Sequence, residues 1–161
     1  MIASMNAEKT EFLKYRFIAQ IKRIPSDTHP LWGKMTVQQM IEHFSDSVRI
    51  ASGKTTVPEI VTAPENLDRV RAFLLSEKPF RENTVNPTLP EDPLPVRNPL
   101  IEDAIEELMT EIQFFFNVFE KNNQQLTRNP IFGDLNFEEN VQLLHKHALH
   151  HLRQFGLMQS A

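Results

Sequence analysis

The chain has 161 residues, of which 40% are hydrophobic and 24% charged, and a formal net charge of −4. That size and balance fit a single soluble domain over 1–161 with a proper core, and the acidic excess leaves no electrostatic footprint for nucleic acid. Cysteine is absent, which excludes disulfides, thiolate metal ligands and a cysteine nucleophile.

Met1 to Asn6 lacks a basic region followed by an apolar one, so no secretory leader is expected. No apolar run approaches the length of a bilayer span. A cytoplasmic protein with no membrane partner is the expectation. Only four glycines are present, which disfavours a phosphate-cradling glycine loop.

The first predicted helix covers Ala7 to Ile24. Phe12, Phe17, Ile18, Ile21 and Ile24 recur among Lys14, Arg16, Lys22 and Arg23, and Pro25-Ser26-Asp27 ends it. A loop with the only tryptophan follows, Pro30-Leu31-Trp32-Gly33-Lys34-Met35. Thr36 then caps a second helix over Val37 to Ser52, with Gln39 in the capping-box position. Val37, Met40, Ile41, Phe44, Val48 and Ala51 form its apolar stripe. His43 sits about 60° from Met40, at the stripe's edge.

From Lys54 to Asn98 prolines interrupt every pattern. A short helix over Glu65 to Glu77 fits Leu67, Val70, Phe73 and Leu74. The remainder reads as a stiff crossover, either purely structural or roofing a site. A third helix starts at an Asn98 cap with Pro99 in its first turn. Ile101, Ala104, Ile105, Leu108, Ile112, Phe115, Phe116 and Phe119 give it a wide apolar face, for the core or for a dimer. Asn129-Pro130-Ile131-Phe132-Gly133-Asp134-Leu135 is expected to be a compact loop. No segment alternates as a strand should.

The fourth helix starts at Asn136, with Glu139 completing a capping pair, and runs to Gly156. It holds four of the six histidines within seven residues. His147 and His151 lie roughly 40° apart on the apolar stripe, one turn from each other. His145 faces the opposite side and should be solvated. His150 falls at the stripe's edge. Gln154 lies within about 20° of His147, which makes it a candidate to support the ligand rings. Two inward histidines either ligate one ion or need a separate partner for each ring. His43 alone reads equally well as a boundary residue. As a third ligand it would complete the pattern that leaves a coordination position open. The expected fold is all-α: a four-helix bundle with a long Pro-rich crossover between helices two and three, the architecture that builds metal sites from inward side chains.

The tryptophan loop with Met40 and His43, the run Asn129 to Leu135, and His147-Ala148-Leu149-His150-His151-Leu152-Arg153-Gln154-Phe155-Gly156 together resemble the DinB/YfiT-like superfamily of metalloenzymes, in a branch of unassigned function. The resemblance covers helix one to Gly156. It implies a DinB-like up-and-down four-helix bundle, often a homodimer, with a divalent ion (zinc or nickel first, iron or manganese next) on His43, His147 and His151. Asn129 stands where the family pattern suggests histidine, and Asn140 where it suggests an aromatic residue.

Relatives in that superfamily include transferases and isomerases that use low-molecular-weight thiols. The resemblance therefore implies a metal-dependent thiol S-transferase, or a related hydrolase or isomerase, acting on a small molecule. The ion would lower the pKa of a thiol or of water. His150 would serve as acid/base or alternative ligand, and Gln154 would orient one ring. The alternative is a non-catalytic, metal-binding or stress-associated dimer. A third possibility is a small-molecule binder without metal.

Overall fold

A computed structural model describes residues 2–157, with side chains from residue 6 onward. Met1 and residues 158–161 of the expected 1–161 domain lie outside the described residues. The structure is mostly helical, with one two-stranded sheet. Among the described residues no helix is long and apolar enough to cross a membrane.

The first helical run begins earlier than the periodicity suggests. It joins α1 (Ile2–Glu11), a π turn (Phe12–Arg16) and α2 (Phe17–Lys22). Phe12 and Phe17 stand five residues apart, about 140° out of phase on a regular helix. In the π turn the Phe17 N–H donates to the Phe12 carbonyl, and the wider turn absorbs the extra residue. Both rings then face inward, 6.0 Å apart, which is why a strict 3.6-residue repeat does not describe this segment.

Helix α3 (Val37–Ser52) has the expected bounds, and Thr36 and Gln39 close the capping box. All six residues of its apolar stripe are buried. Helix α4 (Pro64–Leu75) starts with Pro64 in its first turn. Helix α5 (Ile101–Lys121) packs along α3, with Phe115, Phe116 and Phe119 in the core. Helix α6 (Phe137–Gln154) opens on the Asn136–Glu139 capping box and packs against α1, α3 and α4. A smaller apolar cluster of Leu74, Phe132 and Leu135 joins α4 to the segment before α6.

Two expectations are corrected here. The run from Thr127 to Leu135 is not a plain loop. It is a hairpin of β1 (Thr127–Asn129) and β2 (Gly133–Leu135), in antiparallel register with Arg128 opposite Asp134. Asn129 Oδ1 accepts from the Ile131 and Phe132 N–H groups, an Asx turn that closes it. Three-residue strands are too short to show alternation. Asn140, the other departure from the family pattern, is buried and donates to Thr127 Oγ1 and the Leu135 carbonyl. It ties this hairpin to α6.

Nor does Asn98 cap α5. The N-cap is Leu100, without a side-chain bond. The Asn98 amide donates to the Glu42 and Glu107 carboxylates instead, charge-assisted bonds that draw the side chain away from the start of the helix. Glu42 is buried on α3 and also accepts from Gln38 and from the Arg97 and Asn98 backbone N–H groups. Burial alone would raise its carboxyl. The bonds from Arg97, Gln38 and Asn98 outweigh that and hold it below the ordinary carboxylate value. The end of the crossover is thus fastened to α3 one residue from His43. Beside it Arg49 and Arg97 pair with Asp46 and Glu107, and Lys54 and Arg49 with Glu111.

Glu42→Gln would oppose an amide N–H₂ to these donors. It should destabilise the protein by about 1–3 kcal/mol in urea denaturation and speed amide exchange at Arg97 and Asn98. Unchanged exchange there would mean that Glu42 does not hold the crossover.

Candidate metal centre

His43 reaches the site from α3, and His147 and His151 from α6. One ligand-capable nitrogen from each lies within 4.8 Å of the others, the only such His/Asp/Glu group among the described residues. His147 Nε2 is central. It lies 3.1 Å from His43 Nε2 and 2.7 Å from His151 Nε2. Phe44 forms the floor, stacked on the His147 ring at 4.9 Å and packed on Phe17 at 4.7 Å.

Proton positions follow from the partners. Gln154 Nε2 donates to the Trp32 carbonyl at 3.0 Å. That carbonyl can only accept, so the amide is oriented and Gln154 Oε1 faces His151 Nδ1, 2.7 Å away. Nδ1 of His151 therefore carries the proton, and in the neutral ring Nε2 turns a lone pair into the cluster. His147 Nε2 holds either one proton or one lone pair. It can make one well-directed hydrogen bond, yet two nitrogens stand within 3.1 Å of it. Hydrogen bonding among the three rings satisfies one contact and leaves the other frustrated. A cation between three lone pairs satisfies all of them.

The rings are suited to ligation. Burial depresses the basicity of His147 and His151 well below the ordinary histidine value, and the other rings of the cluster add to the effect. Burial lowers His43 too, against an opposing pull from Asp46. His43 and His147 keep part of their surface open to solvent, whereas His151 is 4% exposed. All three are in the neutral, ligating form near pH 7.

The ring that Gln154 supports is His151, although on the wheel it lies closer to His147. Its side chain reaches back one turn (i,i+3), a reach that angular position alone does not reveal. Gly33 makes the contact possible. It has φ +78, and a Cβ there would stand 3.1 Å from Gln154 Nε2. His150 does not join the three converging nitrogens. It packs between Trp32 at 5.3 Å and Phe80 at 5.8 Å. His145, expected in solvent, is half-buried edge-on against Phe12 at 5.3 Å, because α1 and the π turn cover that side of α6. Burial, then the Lys9 charge, lower it to about 4. Phe80 lies near both His147 and His150, so the crossover does cover this site in part. A phenylalanine within an aperiodic, Pro-rich stretch carries no sequence signal for that role.

With this geometry in hand, comparison with family models, curated proteins and solved structures finds no match to the chain.

The metal-free protein should lose stability as pH falls from about 6.5 toward 5. Histidines that resist protonation when folded accept protons freely when unfolded, at about 6.5. His145 and His150, each lowered to about 4, act in the same direction as the triad. The window lies above that of the carboxylates. Urea midpoints at pH 7.5, 6 and 5 measure this; a flat series would refute neutral, buried rings.

Proposed function

We propose that the protein is a DinB-like four-helix bundle that binds a divalent cation, zinc or nickel before iron or manganese, through His43, His147 and His151. The observation that carries this reading is the position of His147 Nε2, with two further Nε2 atoms at 3.1 and 2.7 Å. The ligand set is three neutral nitrogens. Among the described residues no fourth His, Asp or Glu joins them, and three protein ligands are the pattern that leaves a position for substrate or water. The ion, when bound, supplies a Lewis acid that lowers the pKa of a thiol or of water.

The chain's own residues supply the remainder. Gln154 holds His151 in its ligating tautomer. Phe44 fixes the plane of His147. His150, neutral and beside the cluster, is placed to accept or return a proton. Since the chain has no cysteine, any thiol comes from a small-molecule cosubstrate. The reaction class proposed is therefore thiol transfer, or a related hydrolysis or isomerisation, in the cytoplasm by a homodimer. A non-catalytic ion is the second reading. It is favoured by the way the site joins α3, α6 and, through Gln154, the Trp32 loop.

Elemental analysis of untagged protein should give about one divalent ion per chain, lost in His147→Ala and His151→Ala while both variants stay folded. Protein that purifies without metal and takes up neither zinc nor nickel on titration overturns the site. Gln154→Leu should retain the ion but bind it about 10–100-fold more weakly, measured by competition with a chelator.

A further inference from the structure

Three arginines are half-buried among the described residues: Arg49, Arg71 and Arg153. Arg49 pairs with Asp46, Glu107 and Glu111, and Arg71 with Glu139. Arg153 has no carboxylate within ion-pair distance among the described residues. The charge of Glu82 acts on it from the crossover but does not close a bond. Arg153 Nη2 is buried without a hydrogen-bond partner, and so is His150 Nδ1. Leaving such a group unpaired in the interior is unfavourable, and more so when it is charged. A cation in the last turn of a helix is favoured by the dipole. That accounts for the charge at this position but not for an idle, buried N–H.

The two groups are neighbours. His147, His150 and Arg153 follow one another at three-residue steps on α6, each about 4.5 Å further along the axis. They form a ridge from the histidine triad to the helix end. Trp32 and Phe80 pack on its middle member and exclude water from it, which strengthens any charge-assisted bond made there. A guanidinium offers a fork of N–H donors that matches a carboxylate or another oxyanion.

We infer that Arg153, at the end of this ridge, anchors an anion-binding subsite beside the triad, which holds the carboxylate or other oxyanion of the small molecule on which the site acts. As a substrate anchor it rests on the proposed function. As an anion site it stands on its own residues.

The test uses metal-free full-length protein, with succinate as the probe at constant ionic strength in chloride. Trp32, the only tryptophan, lies against His150 and reports binding by its fluorescence. Succinate should give a saturable change that chloride does not. Arg153→Gln should raise the Kd at least tenfold. Arg153→Lys should weaken binding less, because it keeps the charge but lacks the fork. Arg69→Gln, an exposed charge on α4, should leave the Kd unchanged. His147→Ala should still bind succinate, so a failure of the metal reading is distinguishable from a failure of this one. No saturation in the parent, or parental affinity in Arg153→Gln, overturns the subsite.

Discussion

His151 Nδ1 donates to Gln154 Oε1 at 2.7 Å, and Gln154 offers that oxygen because its amide nitrogen is committed to the Trp32 carbonyl. This relay sets the tautomer of a ring that is 4% exposed and has few other ways of being oriented. It also fastens the tryptophan loop to the end of α6, beside the backbone bond from Leu31 N–H to the Gln154 carbonyl. From there the constraints spread. The fixed lone pair of His151 faces His147, His147 stacks on Phe44, and Phe44 packs on Phe17, whose inward position depends on the π turn. Each link is made by a different element, so the arrangement of the three rings summarises the packing of the helices that carry them.

The other side of the site is held by charge. Glu42 binds the end of the crossover, and Arg49, Arg97, Glu107 and Glu111 knit α3 to α5. Where salt bridges are partly buried, removing one partner costs more than the pair contributes, so such a network resists piecemeal change. Its position matters for His43. The ring comes from the stretch of α3 whose neighbours, Glu42 and Asp46, are anchored across to the crossover. The His43 ring is thereby anchored from its own side of the cluster.

The helices and the three histidines were legible because they rest on spacing. His147 and His151 are one turn apart on an apolar stripe, and His43 lies at the edge of another; helical geometry carries both facts. What spacing could not reach was set by partners distant in sequence. Asn98 looked like a cap until Glu42, from another helix, took its side chain. His145 looked solvated until α1 was laid over it. Gln154 shared a direction with His147, but its length and rotamer led it to His151. The hairpin was hidden by strands too short to alternate, and Phe80 by an aperiodic crossover.

The unpartnered groups show a pattern of their own. Among the described residues the buried side-chain atoms without hydrogen-bond partners are Ser45 Oγ, His150 Nδ1 and Arg153 Nη2. All three residues stand within two positions of a triad histidine. Elsewhere polar groups in the interior are closely matched: Asn140, Gln142, Lys9 and Lys146 each bond to groups far along the chain or across a turn. A sequence able to satisfy those groups has no general difficulty with buried polarity. The exceptions therefore mark a place where local satisfaction gives way to another demand, as it does where a site must keep donors and acceptors free for what binds there. Under the proposed function the triad, His150 and Arg153 belong to one such place, at the last two turns of α6 and the facing stretch of α3.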